Sequence, residues 1–168
     1  SADGGAVERL TTDRRVDVEP AWSRDGRYLY FVSARGGNFD IYRYAFEDHS
    51  ETAFIAGPRD QIQPAESPDG KLLAYVSPVE GRLGTGGIWV KPVAGGDARL
   101  VHYEETEYRA KPAWTPDGQA ILYSSDEAGS NDVAIVPVAG GNPTRLPPDA
   151  MRASGRMIVA GALLAGLA

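Results

Sequence analysis

A seven-residue motif occurs three times in this 168-residue sequence and sets its periodicity. It reads Pro-Ala-Trp-Ser-Arg-Asp-Gly at 20–26, Pro-Ala-Glu-Ser-Pro-Asp-Gly at 64–70 and Pro-Ala-Trp-Thr-Pro-Asp-Gly at 112–118. The starting positions give a period of roughly 40 to 50 residues, and no helical periodicity occurs within a period. A repeat of this length that contains several strand-like runs is typical of β-propeller blades and not of helical solenoids.

Three strand-like runs follow each motif in the same order. The first runs lie at 27–33, 71–77 and 119–125, the second at 40–46, 87–93 and 132–138, and the third at 52–56, 98–102 and 144–146. Apolar and polar residues roughly alternate in them, as half-buried strands require. Together with an inner strand before the motif, they predict four-stranded blades at about 16–56, 60–102 and 108–147. Glycine pairs at 36–37, 86–87, 95–96 and 140–141 predict hairpin turns.

The motif and the order of elements resemble the TolB-type β-propeller repeat. Its blade carries Pro-x-Trp-Ser-Pro-Asp-Gly, then a strand ending in Ser, then Asp-Ile-Tyr and a Gly-Gly turn. The resemblance covers nearly all of 7–147, and it implies an all-β fold with inner strands that end at Trp22, Glu66 and Trp114. Among the departures from the pattern, Glu66 stands in place of the Trp, Arg24 in place of the second Pro, and Thr85-Gly86-Gly87 in place of an Asp before Ile88 in the middle blade.

Three blades are too few to close a ring, since propellers contain roughly 4 to 8. The two end blades would also expose apolar flanks to water. We therefore predict a homodimer in which two sets of three blades form one six-bladed ring; a piece of a longer propeller and a compact four-bladed ring are the alternatives. The whole chain, 1–168, is predicted to be one domain in which 7–11 is a closing strand and 148–168 a tail or a partial fourth blade.

Composition and charge exclude several classes of function. A net charge of −6 and a pI near 4.9 leave no basic surface for nucleic acid. The sequence has no cysteine, two histidines and no Gly-x-Ser-x-Gly, so we predict no metal site, no cofactor and no catalytic residue. The apolar stretch at 157–168 is too short for a membrane span, which needs about 20 residues. The acidic stretch at 104–107 predicts a solvated loop.

The Asp-Gly pair in each motif predicts a structural turn. The aspartate carboxylate can accept backbone N–H groups, and glycine adopts the positive φ that such turns require. The six residues concerned are Asp25, Gly26, Asp69, Gly70, Asp117 and Gly118.

One functional surface is predicted at the axis of the propeller. Strand alternation places the residues one and three positions before each motif proline on the same face. These candidate channel-lining residues are Asp17, Glu19, Gln61, Gln63, Arg109 and Lys111. Their side chains change from acidic to amide to basic along the three blades, which would give a channel with a charge gradient.

The sequence therefore predicts a non-catalytic binding or scaffold module for peptides or proteins. The TolB resemblance implies such partners at the channel mouth and, for exported members, a periplasmic location. The alternative is the propeller segment of a larger hydrolase, either prolyl-oligopeptidase-like or an amidohydrolase, whose catalytic domain is absent here. A third hypothesis is hydrolysis by the carboxylates of Asp17 and Glu19.

Overall fold

The computed structural model describes residues 4–80, 86–105, 112–126 and 132–146. In these ranges the chain forms twelve β-strands, arranged as three four-stranded antiparallel sheets, and no helix. Blade 1 consists of β1 (Asp17–Trp22), β2 (Tyr28–Ser33), β3 (Asp40–Ala45) and β4 (Glu51–Ile55). Blade 2 consists of β5 (Ile62–Glu66), β6 (Leu72–Ser77), β7 (Gly86–Pro92) and β8 (Arg99–Glu104). Blade 3 consists of β9 (Ala113–Trp114), β10 (Ala120–Ser125), β11 (Asp132–Pro137) and β12 (Thr144–Arg145).

The strands of each blade follow one another in space as they do in sequence. The innermost strands β1, β5 and β9 end at Trp22, Glu66 and Trp114, as the family resemblance implied. Strand β5 packs against both β1 and β9, so the three inner strands are neighbours around a common axis. The all-β, propeller-type architecture predicted from the repeat is confirmed. Nothing in the described segments is a helix that could cross a bilayer.

One continuous hydrophobic core joins the three blades. It includes Tyr30 of blade 1, Leu73 and Ile88 of blade 2, and Ile121 and Val136 of blade 3, all of which are completely buried. Burial of each such side chain stabilises the fold by about 1.5–3 kcal/mol relative to exposure. The blades are therefore held together mainly by apolar packing between their facing sheets.

Each motif folds into the same hydrogen-bonded turn. In blade 1, Asp25 Oδ1 accepts the Ser23 hydroxyl at 2.9 Å and the Arg27 N–H at 3.0 Å, and Ser23 Oγ accepts the Tyr28 N–H. Gly26 has a φ of 73°, which a side chain would oppose. The equivalent bonds recur around Ser67, Asp69 and Gly70 and around Thr115, Asp117 and Gly118.

Two local predictions are wrong. The glycines at 86–87 lie in strand β7 and not in a turn. Gly87 is required there because a Cβ atom would collide with the Ser77 carbonyl oxygen and come within 2.8 Å of the Trp89 indole nitrogen. Glu104, expected in a solvated loop, is the last residue of β8 and is only 4% exposed.

Residues 7–11 lie outside the strands, and Val7 is fully exposed. Leu10 and Thr11 lie beside blade 1, where they line a cavity together with Asp17 and Phe31. Their assignment as the closing strand of another blade stays a prediction. The predicted tail or partial fourth blade at 148–168 lies outside the described residues.

Candidate functional site

A cavity of about 300 Å³ lies where the inner strands converge. Its lining consists of motif prolines and the residues that precede them: Glu19, Pro20, Gln63, Pro64 and Pro112. We call this cavity the axial pocket. Blades 1 and 2 each contribute the motif proline and the residue before it, and blade 3 contributes its motif proline. The axial pocket is therefore formed by equivalent positions of the three repeats.

A β-bulge in each of the first two inner strands shapes the axial pocket. The pairing of β1 with β2 shifts register between Val18 and Ala21, and that of β5 with β6 shifts in the same way between Ile62 and Ala65. Inside these bulges, Glu19 and Gln63 have φ values of 52° and 57°. Positive φ is unfavourable for residues other than glycine, and such strained residues cluster at functional sites.

Glu19 and Gln63 also connect the two blades across the axial pocket. Oε2 of Glu19 accepts the backbone N–H of Gln63 at 2.7 Å. The side-chain oxygen Oε1 of Gln63 is buried and has no hydrogen-bond partner among the described residues. The axial pocket is therefore lined by a carboxylate residue and an amide residue, between proline rings that have no N–H to offer.

Asp17 does not line the axial pocket, because the bulge interrupts the alternation on which its assignment depended. Its carboxylate lies 3.1 Å from Arg35, whose guanidinium also contacts Glu51 at 2.5 Å. Partial burial acts to raise the pKa of Asp17, but hydrogen bonds, the first of them from Ser33, outweigh it and leave the pKa below its usual value. Asp17 is thus engaged within blade 1.

Gln61 is 6% exposed and lies at the boundary between blades 1 and 2. Its backbone N–H donates to the Phe39 carbonyl at 2.6 Å, and its side-chain amide donates to the Arg59 carbonyl. Arg109 and Lys111 lie outside the described residues. The structure thus brings two of the six candidates, Glu19 and Gln63, into one pocket, and their binding role stays a prediction.

Sequence reasoning missed the prolines as pocket-lining residues, although a signal was present. A proline inside a strand is expected at a bulge or an edge, because it cannot donate to the ladder. Pro20 and Pro64 interrupt β1 and β5 in this way. Applied to these prolines, the rule would have predicted the bulges and therefore the different directions of Asp17 and Glu19.

Direct hydrogen bonds join the inner ends of adjacent blades. Between blades 1 and 2, the backbone N–H of Arg24 donates to Oε2 of Glu66 at 2.6 Å. Between blades 2 and 3, the indole N–H of Trp114 donates to the Ala65 carbonyl at 2.8 Å. Burial raises the pKa of Glu66, and the bond from Arg24 partly offsets this effect.

A second buried cluster lies between blades 2 and 3. Glu104 accepts hydrogen bonds from the Tyr123 hydroxyl at 2.5 Å and the Ser125 hydroxyl at 2.8 Å, and His102 Nε2 lies 3.2 Å away. These contacts tie β8 to β10. Across the described ranges, no group of three or more His, Cys, Asp or Glu side chains is arranged to hold a metal ion.

The comparisons with known proteins agree with this architecture. The family described as TolB beta propeller domain matches residues 1–154. The Tol-Pal system protein TolB of Anaeromyxobacter dehalogenans is 29% identical over 112 residues, which are 67% of this chain and 25% of that protein. The chain thus spans about a quarter of that relative's length.

Two solved structures share the fold. TolB from Acinetobacter baumannii has a TM-score of 0.67 at 22% identity, over 82% of this chain and 33% of the other. A puromycin-hydrolyzing peptidase of Mycobacterium tuberculosis has a TM-score of 0.63 at 23% identity, over 80% and 22%. The sequence contains three copies of the motif, the structure has three antiparallel blades around one axis, and the family match covers most of the sequence. The chain therefore belongs to the TolB β-propeller domain family.

Proposed function

We propose that this chain is a non-catalytic propeller module that binds an extended polypeptide at the axial pocket. The observation that carries the proposal is the axial pocket itself, which is lined by the hydrogen-bond-accepting residues Glu19 and Gln63 between motif prolines. An extended peptide supplies backbone N–H donors for such acceptors, and a lysine or arginine side chain would complement the carboxylate. The proline rings would provide apolar contact area that does not compete for hydrogen bonds.

The similarity to TolB supports a protein partner. The name of the curated relative assigns that protein to a Tol-Pal system, and the family resemblance implies peptide or protein partners. We extend both properties to this chain, together with an exported, periplasmic location. No ligand other than a polypeptide is needed to explain the acceptors of the axial pocket.

A peptide library tests the binding function directly. A phage-displayed library of random linear peptides is selected on the native chain, and affinities of enriched synthetic peptides are measured by titration calorimetry. We expect enrichment of lysine or arginine and a loss of affinity of about tenfold to hundredfold in Glu19→Gln, since hydrogen bonds to charged groups contribute roughly 1.5–3 kcal/mol.

The matched control is Asp17→Asn, which changes the same chemical group two residues away but outside the axial pocket. It should leave peptide affinity unchanged. Failure to enrich any peptide, or equal affinity for the native chain and Glu19→Gln, would contradict the proposal.

The second candidate function is that of a propeller segment in a larger hydrolase. The Mycobacterium tuberculosis peptidase favours it, because its fold includes a segment similar to this chain that forms 22% of its length. A prolyl-oligopeptidase-like enzyme or an amidohydrolase would carry its catalytic groups on another domain. The test is to read the gene beyond the codon for residue 168: a Gly-x-Ser-x-Gly segment or a cluster of metal-binding histidines there would favour a hydrolase.

The propeller function also requires a closed ring, which we assign to a second copy of this chain. Three blades from each of two copies give six, within the range of roughly 4 to 8 that fills a ring. The flank of blade 1 is consistent with coverage by a further blade, because Trp22 is 62% exposed and Leu29 of the same blade is half-buried. A two-fold pair would cover both open flanks at once.

A further inference from the structure

We propose that Arg43 binds the carboxylate of a glutamate or aspartate side chain that a protein partner presents to blade 1. Arg43 lines a cavity of about 220 Å³, which we call the Arg43 pocket. The described residues that line it all belong to blade 1, between positions 27 and 52, and none of them lines the axial pocket. The Arg43 pocket is therefore a separate surface that one blade forms.

Another arginine of blade 1, Arg35, shows how such a side chain is held and paired. Its guanidinium lies over the rings of Phe31 and Tyr42, at 5.3 and 4.6 Å from their centres. It also forms ion pairs with the carboxylates of Asp17 and Glu51. The aromatic faces orient the guanidinium, and the carboxylates accept its N–H groups.

Arg43 has the same kind of aromatic contacts but no carboxylate. Its guanidinium lies over the rings of Tyr28 and Phe54, at 4.4 and 5.2 Å from their centres. The residue is half-buried, and within the described ranges its guanidinium makes no hydrogen bond and no ion pair. An oriented guanidinium with N–H groups to donate matches the two oxygens of a carboxylate. Blade 1 therefore holds Arg43 in place for an acceptor that comes from another molecule.

The other two blades have an apolar residue at the position of Arg43. Strand pairing makes Val90 and Ile135 its equivalents in blades 2 and 3. Val90 is 1% exposed and belongs to the hydrophobic core, and Ile135 is half-buried. The fold of a blade therefore does not require an arginine here, which favours a binding role for Arg43.

The charges around the Arg43 pocket favour a ligand group with a single negative charge. Arg27 also lines the pocket, but its Nε is already bound to Asp25 Oδ2 at 2.6 Å. Glu47 and Asp48 line the pocket as well, and the whole chain has a net charge of −6. These negative charges oppose a phosphate group, which carries roughly two charges, more strongly than a carboxylate, which carries one.

The size and position of the pocket indicate a side chain and not a whole small molecule. Pockets for drug-sized ligands have volumes of roughly 300–1,000 Å³, and this one is smaller. Thr52 lies directly opposite Arg43 on β4, the outermost strand of the blade, and it is exposed. An acidic side chain can therefore reach Arg43 from the outer surface of blade 1 while the rest of the partner stays outside.

The test is an NMR titration of the native chain with blocked amino acids. N-acetylglutamic acid α-amide presents one side-chain carboxylate, and N-acetylglutamine α-amide is its uncharged match. The backbone amide signals of Ala45 and Thr52, which line the Arg43 pocket, report binding. We expect a saturable shift of these signals with the glutamate compound and at least about tenfold lower affinity for the glutamine compound.

Arg43→Met tests the residue itself, because methionine keeps apolar contact with Tyr28 and Phe54 but has no N–H donors. We expect at least about tenfold lower affinity for the glutamate compound. The matched control is Arg99→Met, which removes the same charge from an exposed arginine in β8 of blade 2. It should bind as the native chain does.

Circular dichroism and melting temperature establish that each variant is folded. If Arg43→Met does not fold, Arg43→Lys replaces it; this variant keeps the charge but loses the planar set of donors, so it should bind the glutamate compound more weakly than the native chain. Equal affinity for the two compounds, no saturable shift, or unchanged affinity in the Arg43 variant would overturn the proposal.

Two further probes distinguish the source of the negative charge. N-acetylglycine carries only a terminal carboxylate, and inorganic phosphate carries none. If either bound more tightly than the glutamate compound, the assignment to an acidic side chain would be overturned. Peptide binding at the axial pocket can fail without changing these results, because the titration reports only on the Arg43 pocket.

Discussion

Arg24 donates its backbone N–H to Oε2 of Glu66 at 2.6 Å across the boundary between blades 1 and 2. Both residues depart from the TolB-type motif, which has proline at the position of Arg24 and tryptophan at the position of Glu66. A proline at 24 would have no N–H, and a tryptophan at 66 would have no carboxylate to accept one. The two departures therefore form a single compensating pair, which replaces the tryptophan bond seen between blades 2 and 3.

Arg24→Pro should lower the free energy of unfolding by about 1.5–3 kcal/mol, because it removes the hydrogen-bond donor that the described residues supply to a partly buried carboxylate. The proline itself fits this position, since Pro68 occupies it in the next turn. Adding Glu66→Trp should recover most of the loss by restoring the tryptophan junction. Urea unfolding of the native chain, the two single variants and the double variant measures the interaction free energy between positions 24 and 66.

The control for this cycle is Glu66→Gln, which retains an acceptor for Arg24 and should cost less than Arg24→Pro. Additive effects of Arg24→Pro and Glu66→Trp would show that the two positions act independently, and the compensation argument would fail.

Gln63 tests the cost of the left-handed bulge. Gln63→Gly removes the strain at a φ of 57°, whereas Gln63→Val places a β-branched residue there. We expect Gln63→Val to be less stable than Gln63→Gly by about 1–2 kcal/mol, as measured by urea unfolding. The same pair of substitutions at the exposed Gln119, which does not have positive φ, should show no such advantage for glycine. Equal stability of the two Gln63 variants would refute a strained bulge.

Gly87 tests the close approach of β7 to β6. Gly87→Ala should cost about 1–3 kcal/mol, because the new methyl group would meet the backbone oxygen of Ser77. Gly36→Ala is the matched control, since its methyl group would meet a side-chain atom, a carboxylate oxygen of Asp40, instead of a backbone atom. Thermal unfolding compares the two variants, and a Gly87→Ala protein as stable as the Gly36→Ala protein would contradict the packing described for this strand pair.

The turn aspartates predict how acid affects stability. The Arg27 backbone N–H and then its side chain lower the pKa of Asp25 from 3.8 to about 2. A carboxyl group whose pKa is lower in the folded state stabilises the fold above its unfolded pKa, and this contribution is lost as pH falls through the folded pKa. The native chain should therefore lose melting temperature between about pH 4 and pH 2. Asp25→Asn should lose less over that interval, and parallel curves for the two proteins would be inconsistent with the shifted pKa.

Local sequence patterns predicted the strands and the motif turns because both depend on short-range chemistry. Alternation located strands such as β2, and the Asp25-Gly26 pair marked a turn of positive φ. The directions of Asp17 and Gln61 could not be read in this way, since a bulge at Glu19 or Gln63 changes which side chains share a face.

Contacts between blades were also beyond the sequence pattern. Glu104 ends a strand and is buried by Tyr123 and Ser125 of the next blade, about 20 residues away, so its acidic neighbours in sequence were misleading. Gly87 was assigned to a turn because a glycine pair usually marks one, whereas here the close approach of Ser77 requires it. The burial of Glu104 and the requirement for Gly87 both depend on tertiary contacts, which a short stretch of sequence does not reveal.

The solution mass of the native chain tests most directly whether a second copy closes the ring. The binding function proposed for the axial pocket requires a closed ring. Size-exclusion chromatography coupled to light scattering measures it without a variant. The account predicts a mass of twice 17.9 kDa. A stable species of 17.9 kDa across the measured concentrations would contradict closure by a second copy.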